Sequence, residues 1–529
     1  MTKRLGHHSL CLAFALLSMF PILSAEERAP RRLGVKDLSN KIRGGWAGQM
    51  IGVAYGAPTE FKYNARIIED ELQWSPDRIS NALDQDDLYV DMTFNQVLEE
   101  RGLKASQQQF AQAFANSKYR LWHANLAARE NLRRGIEAPQ SGHPEHNIHA
   151  DDIDFQIESD FIGLITPGLP HLSNELCDRV GHIMNYGDGV YGGMLVAAMY
   201  GQAFFERNPR EVVTKALKVL PAESQYSRLI RDILIWHRQY PSNWKRTWEK
   251  VESKWNHKDS FCPRGVLNTF NIDAKLNGAY VVIGLLYGRG DFSQTIEITA
   301  RCGQDSDCNP ASAGGILGTM IGYEAIPQLW KHGIAAIADK KFSYTDYTFN
   351  TIVGSSIGLA QKAVLESGGK VTETELLIPY QAPKEARLEQ WLPKGQPFVL
   401  REDKAWSWSG DWREFSDPLT AKFGTVGKQT SSPGSEVVCR FSGTGAVLVG
   451  RWEIAGGRVD VYLDGKLRGE IDTSLFAVED HESRLTESLW HNLDLGPGSH
   501  TLRLVLKEPK NLKTKMVNLT VAGLYAFQK

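Results

Sequence analysis

Gly303-Gln304-Asp305-Ser306-Asp307-Cys308-Asn309 leads through Pro310 into glycines at 314, 318 and 322, and this stretch decides the fold. Two carboxylates followed by a four-residue glycine period describe a helix that opens on acids and carries a bare backbone stripe. Glycine costs a helix interior about 1 kcal/mol relative to alanine, so a stripe of it implies close approach of another backbone. A second stripe, Gly44, Gly48, Gly52 and Gly56, leads to Pro58-Thr59-Glu60. Helices that meet along these stripes at the domain centre would carry Glu60 to the acids. The alternative is that close helix packing alone selected the small residues.

A matching acidic cluster, Asp84-Gln85-Asp86-Asp87, opens another helical segment at Leu88, Val90 and Met92. Helix N-termini favour carboxylates, and one Asp at each would read as a cap. Two or three at each of two helix starts exceed capping. Crowded carboxylates repel one another unless they surround cations. Short hard-oxygen side chains suit Mg²⁺, Mn²⁺ or Ca²⁺ rather than zinc. Asp86, Asp87, Asp305 and Asp307 are therefore the candidate metal ligands of a metal-dependent hydrolase, with capping plus solvated charge as the alternative.

The segment from about Leu33 to Gly368 has helical periodicity, with helices expected over Gln107–Ala128, Val190–Phe205, Val212–Val219 and Ala274–Tyr287. Turn clusters at Pro167-Gly168 and Asn185-Tyr186-Gly187-Asp188-Gly189 separate them. Prolines 379, 383, 393 and 397 among charges have linker composition. Beyond them the period becomes two: Val459, Val461 and Leu463 run into Asp464-Gly465, a hairpin signal, and Leu502, Leu504 and Leu506 follow Gly496-Pro497-Gly498. The chain is thus expected to be multidomain: a signal peptide over 1–25, an all-α catalytic domain over 33–370, a linker over 371–397 and an all-β jelly-roll β-sandwich over 398–529. Its strand pattern is self-contained, so the sandwich is expected to fold alone and its removal to leave turnover on small substrates largely intact.

The 529 residues carry a net charge of −2, from 60 basic and 62 acidic side chains, which argues against nucleic-acid binding by bulk charge. Lys3 and Arg4, the apolar Leu10–Leu23 and Leu23-Ser24-Ala25 read as a secretory signal with its cleavage site. That run is short for a bilayer span, so a secreted or periplasmic protein without a transmembrane segment is expected. Cys177, Cys262, Cys302, Cys308 and Cys439 form no CxxC pair and read as mostly buried thiols, with one disulfide open.

With these motifs in place, the chain resembles the ADP-ribosylglycohydrolase family, the group that includes the dinitrogenase reductase-activating glycohydrolase. Gly44 to Gly52 and Gly56 to Phe61 look like the family's glycine helix with its acidic end. Gln85-Asp86-Asp87-Leu88 stands where the family has Thr-Asp-Asp-Thr. Phe161-Ile162-Gly163-Leu164-Ile165-Thr166-Pro167-Gly168 looks like its central glycine-proline loop. Gly303-Gln304-Asp305-Ser306-Asp307-Cys308 stands where it has Gly-Gly-Asp-Thr-Asp-Thr. The resemblance spans roughly residues 35 to 350. It implies an all-α fold, a binuclear Mg²⁺ site on the four aspartates and cleavage of a glycosidic bond to ADP-ribose. One or two Mg²⁺ ions, or Mn²⁺ in their place, are the expected cofactor. Gln85 and Cys308 depart from the pattern, and a thiol is a poor partner for Mg²⁺.

Carboxylates beside an anomeric carbon stabilise an oxocarbenium-like transition state. Glu60 is the candidate proton-transfer residue, with a structural carboxylate as the alternative, and Asp160 is the second catalytic candidate. Glu158 and Asp188 are candidate substrate contacts; the alternative for Asp188 is a turn aspartate. His143 to Asp154 is rich in imidazoles and carboxylates, but its spacing matches no zinc pattern, and it reads as a solvated active-site loop. Trp406, Trp408, Trp412, Trp452 and Trp490 offer sugar-stacking faces or core material. The sequence thus reads as an exported metal-dependent glycohydrolase acting on a small-molecule or glycan glycoside, ADP-ribosyl or extracellular carbohydrate. The second reading is a catalytically inactive glycan-binding protein that kept the fold.

Overall fold

The computed structural model describes residues 29–257, 261–391, 395–416, 427–475, 484–509 and 517–528. The expected signal peptide lies outside them. A helical unit is followed by two antiparallel sheets. Three helices of the first unit, Asp188–Ala203, Ala274–Gly288 and Cys308–Ile321, are buried on nearly every side, as their almost uninterrupted apolar and small residues require. Tyr200 and Tyr280 of these helices share one core with Trp46 and Phe94 from neighbouring ones. The Trp46 indole is satisfied inside this core by Ser356 Oγ at 3.0 Å.

The two glycine stripes do meet. Helix Val35–Gly56 lies antiparallel to helix Cys308–Ile321. A Cβ at Gly44, Gly48, Gly52 or Gly56 would stand 2.2, 2.0, 2.0 or 1.8 Å from the carbonyl oxygens of Gly318, Gly314, Pro310 and Ser306. Each step of four up one helix is met by a step of four down the other. The C-terminus of the first helix therefore arrives at the acid-bearing N-terminus of the second.

The helix expected over Gln107–Ala128 is two helices, Gln107–Ala115 and His123–Arg133. The break is held from the second helix. Arg129 Nη1 donates to Tyr119 O at 2.7 Å, and Arg133 donates to Ala115 O and Ser117 O at 2.9 Å each. The other expected helices are found as Asp188–Ala203, Pro209–Ala216 with a 3₁₀ turn Leu217–Val219, and Ala274–Gly288. The five cysteines among the described residues are buried free thiols, so the disulfide left open by the sequence is not formed among them.

The stretch 371–397 differs from a free linker. Glu375–Ile378 pairs antiparallel with both Arg31–Gly34 and Lys370–Val371, closing a small sheet on the helical unit. The chain then lies along that unit. Ala386 N donates to Val219 O at 2.9 Å, Tyr191 OH to Arg387 O at 2.7 Å, and Gly187 N to Glu389 Oε2 at 3.1 Å.

In the sandwich, one sheet orders its strands Lys466–Asp472, Arg458–Leu463, Gly498–Leu506, Glu436–Gly443 and Trp406–Ser409. The other runs Arg484–Asn492, Gly445–Trp452, Leu519–Gln528, Gly427–Thr430 and Arg413–Phe415, with Gln396–Val399 also on Leu519–Gln528. The expected hairpin turns at Asp464 (φ 51°) and Gly465 (φ 76°), the two positive values of a type I′ turn. Leu502, Leu504 and Leu506 face Val459, Val461 and Leu463 in the core between the sheets. Trp406 and Trp408 stack at 5.5 Å beside a hollow of about 320 Å³ that Lys428 also lines. Strand Leu519–Gln528 is buried on both faces, because its outer side packs on the helical unit: Tyr525 and Phe527 join Ile148, Phe261 and Val266 in one apolar cluster.

Candidate active site

The segment after the first glycine helix is sewn to the acidic turn. Phe61 N donates to Gln304 O at 2.9 Å, Gln304 N to Tyr63 O at 3.2 Å, and Thr59 Oγ1 and Ser306 Oγ share a hydrogen bond of 2.8 Å. Gly303 (φ 81°) and Gln304 (φ 54°) take left-handed conformations, and a Cβ on Gly303 would strike Tyr63 O at 2.3 Å. Glu60 is thereby brought beside Asp305 and Asp307. Asp86 and Asp87 enter at the start of helix Asp86–Arg101. Glu60, Asp86, Asp305, Asp307 and Cys308 line one cavity of about 190 Å³, with Trp122, His123, Asp154 and Arg264 among its other walls.

Asp87 lies fully buried beneath this cavity. Ligand atoms of Asp86, Asp87 and Cys308 lie within 4.8 Å of one another, as do those of Asp305, Asp307 and Cys308. Both oxygens of Asp87 and Oδ1 of Asp305 are buried without a hydrogen-bond donor. Such atoms are costly unless a cation takes them, so this donor set fits the hard cation expected from the sequence. Cys308 belongs to both groups. Burial holds its thiol well above its usual range, and neutral sulfur adds little for Mg²⁺.

The carboxylates raise one another. Glu60 is pushed up to about 8, first by the charge of Asp307, with Asp86 adding to it. Burial is the first cause for Asp305, raised to about 8 with Glu60 adding to it, and for Asp307. A bound cation reverses this sign.

Not every candidate from the sequence reaches the cavity wall. Asp160 opens the fully buried helix Asp160–Ile165 and accepts a hydrogen bond of 2.6 Å from Tyr200 OH. Burial raises it to about 7, and its charge acts on Asp87. It stands behind the metal-type carboxylates and is not among the described residues that line the cavity. Glu158 is buried and accepts from the Asn125 amide, one residue beyond the cavity-lining Ile157. Asp188 is a helix-start residue that accepts from Tyr226 N at 3.3 Å. It lies near Lys275, and burial raises it to about 6. Neither Glu158 nor Asp188 is among the described residues that line the cavity.

Other residues arrive without having been foreseen. Asp91, one helical turn after Asp87, is buried and accepts from Phe161 N at 3.2 Å and Gln49 Nε2 at 3.4 Å; its spacing from Asp87 was the available signal. Asp154 lines the cavity while its oxygens take the Asn125 and Ala124 backbone N–H groups at 3.0 and 3.3 Å. Burial lifts it to about 7. Arg264 lies over the Phe270 ring at 4.3 Å, and nothing local in the sequence marks it. Of the segment read as a solvated loop, Glu145 is exposed but Asn147 to Asp154 are interior: His149 is 2% and Asp152 0% exposed, where the sandwich packs on Ile148 and His149.

A helical domain with a carboxylate-lined cavity between two helix N-termini has the frame of a glycohydrolase. A model of the family described as ADP-ribosylglycohydrolase matches residues 35–355, and the chain belongs to that family. It is similar to a solved ADP-ribosylglycohydrolase-related protein complex, at 16% identity and TM-score 0.43, over 62% of this chain and 99% of that one. The curated A type blood N-acetyl-alpha-D-galactosamine deacetylase of Flavonifractor plautii is 27% identical over 177 residues, 33% of this chain and 21% of the relative. The chain thus spans about a fifth of that relative's length. The CBM36-1 domain of a multidomain xylanase from the hindgut metagenome of Trinervitermes trinervoides is similar to 23% of this chain over 90% of its own length, at 15% identity and TM-score 0.17. No helix among the described residues is long and apolar enough to cross a membrane.

Proposed function

We propose that this protein is an exported, metal-dependent glycohydrolase that cleaves a carbohydrate glycoside, with residues 33–370 as its catalytic unit and 398–529 as a glycan-facing sandwich. The observation that carries the reading is the set of buried, donor-less oxygens on Asp87 and Asp305, beside Asp86, Asp307 and Glu60. Asp86, Asp87, Asp305 and Asp307 would hold one or two Mg²⁺ or Mn²⁺ ions. When bound, such ions fix vicinal hydroxyls of a sugar and lower the pKa of a water. Glu60, at the exposed edge of the cavity, takes or returns the proton at the scissile bond. Gln49 Nε2 ties Asp91 to the backbone carbonyl of Asp87 at 3.4 Å each, and Asp160, held by Tyr200 OH, stands behind them.

The cavity favours a sugar ring over a dinucleotide-sized ligand. Its volume of about 190 Å³ is below the roughly 300–1,000 Å³ that encloses drug-sized ligands. Arg264 is the only Lys or Arg among its described lining residues, a thin provision for a diphosphate. The curated relative named for a blood-group sugar is consistent with a carbohydrate substrate. The deciding experiment is turnover of aryl glycosides, oligosaccharides and ADP-ribosyl conjugates with Mg²⁺ and with EDTA. EDTA-sensitive release of a sugar supports the reading. Turnover confined to ADP-ribosyl conjugates overturns the substrate class, and EDTA-resistant turnover overturns the metal.

A further inference from the structure

Beside the aspartate cavity, four residues of three separate segments converge. His123 opens helix His123–Arg133, His149 and Asp152 lie in the turns before Asp154, and Cys262 precedes helix Pro263–Leu267. One ligand atom from each lies within 4.8 Å of all the others. His149 Nδ1 is 2.7 Å and His123 Nδ1 3.6 Å from Asp152 Oδ2. Ligands at zinc distances of about 2.0–2.3 Å stand roughly 3.3–3.8 Å apart in a tetrahedron. Small side-chain rotations reach that spacing from here.

The surroundings hold these side chains in place. His149 Nε2 meets Glu487 Oε2 of the sandwich at 3.2 Å. Glu487 accepts from Nε2–H, the arrangement that orients metal-bound histidines, while Nδ1–H donates to Asp152 and a metal ion would take that proton's place. Asp152 is fixed by its backbone: its carbonyl accepts from Asn185 Nδ2 at 2.8 Å and its N–H donates to His149 O at 2.9 Å. His123 takes a left-handed φ of 43°, a costly conformation for a residue other than glycine. It stacks on Phe270 at 5.5 Å, edge-on to His149 at 5.4 Å.

We propose that His123, His149, Asp152 and Cys262 form a tetrahedral Zn²⁺ site, distinct from the aspartate centre, that ties the cavity wall to the sandwich. Two imidazoles, a thiolate and a carboxylate select zinc over Mg²⁺. Four protein ligands leave no open position, which makes the site structural. His123 lines the substrate cavity and Glu487 braces His149 from the sandwich, so the ion holds together the two units that share the cavity's surroundings. Zn²⁺ binding displaces the Cys262 thiol proton and the proton between His149 Nδ1 and Asp152 to solvent, with no change of oxidation state. The inference does not depend on the proposed glycosidase activity.

Cobalt(II) is the probe, added to chelator-treated, reduced, full-length protein. One equivalent is expected to give the intense visible bands of a tetrahedral ion and a thiolate-to-cobalt band in the near ultraviolet, both discharged by Zn²⁺. Cys262→Ser should remove the ultraviolet band; Cys308→Ser and Asp305→Asn should keep it. His123→Asn, at the half-buried edge, should weaken cobalt binding by about 10-fold or more, since even outer-shell partners are worth that much, and it serves if Cys262→Ser fails to fold. No thiolate band in the wild type, a band lost with Cys308→Ser instead, or unchanged affinity in His123→Asn each overturns the site.

Discussion

Gly48 and Gly314 meet backbone to backbone: a Cβ built on Gly48 would lie 2.0 Å from the Gly314 carbonyl oxygen, and one on Gly314 would lie 2.6 Å from the oxygen of Gly48. Neither helix can retreat alone, since the same contact recurs at Gly44 with Gly318 and at Gly52 with Pro310. This contact sets the distance between Glu60 and the Asp305–Asp307 turn.

Gly48→Ala is expected to destabilise the protein by about 1–3 kcal/mol or more, the scale of overpacking a closed interior. Gly354 supplies the control. It lies on helix Phe349–Glu366 with nothing within 4 Å of its would-be Cβ, so Gly354→Ala should be neutral or stabilising by up to about 1 kcal/mol. Thermal unfolding of the two variants measures the difference. Equal melting temperatures would show that the helices have room to separate.

Millimolar Mg²⁺ or Mn²⁺ should raise the melting temperature, because a ligand bound only by the folded state stabilises it. Asp305→Asn and Asp307→Asn should each abolish that rise. A wild-type melting curve indifferent to both metals would count decisively against the aspartate centre.

Without metal, stability should fall as pH rises from about 5 to 8. Glu60 and Asp305 are raised to about 8 and Asp154 to about 7 in the folded chain. Between the unfolded carboxylate pKa, about 4, and these values, the folded state binds more protons than the unfolded state. The proton-linkage slope is then negative: stability is fully present below pH 4 to 5 and is lost toward pH 8. A cation replaces those protons, so the Mg²⁺-induced rise in melting temperature should be larger at pH 8 than at pH 5.5. A rise that shrinks with pH would contradict this electrostatic picture.

Glu60→Gln should lower turnover by about 10²-fold or more, the usual scale for a proton-transfer group, while keeping the Mg²⁺-induced stabilisation. Steady-state rates on whichever glycoside is turned over, with a parallel melting curve, separate the two effects. Near-normal turnover would reduce Glu60 to a structural carboxylate.

Truncation near Pro379 is expected to yield a poorly soluble helical unit. It uncovers Ile148, Phe261 and Val266, and it removes Trp391, whose ring lies 4.4 Å from Phe261. Phe261 O also loses the hydrogen bond of 2.9 Å that it accepts from Tyr525 OH. The strand pattern favours separable modules, but these contacts favour one unit. A soluble truncated protein that melts like the full chain would restore the modular view.

The sequence by itself determined what depends on near neighbours. The glycine period of four identified both helices of the central pair, because a missing side chain every turn makes one face of a helix whatever surrounds it. Asp86, Asp87, Asp305 and Asp307 were legible because acids at helix starts are a local pattern, and Asp464-Gly465 because a two-residue turn fixes its own dihedrals. Only the tertiary structure decided which carboxylates line the cavity, since Asp154 and Asp160 lie six residues apart in the chain and differ only in which side of a buried turn faces inward. It alone broke the helix at Asn116 to Trp122, through arginines that claim carbonyls from the next turn of chain. His123, His149, Asp152 and Cys262 match no spacing rule because their segments are joined by packing rather than by chain. The loop at His149 reads as solvated from its polar composition; the sandwich laid against it makes it interior, and burial is a property of what covers a residue as much as of the residue itself.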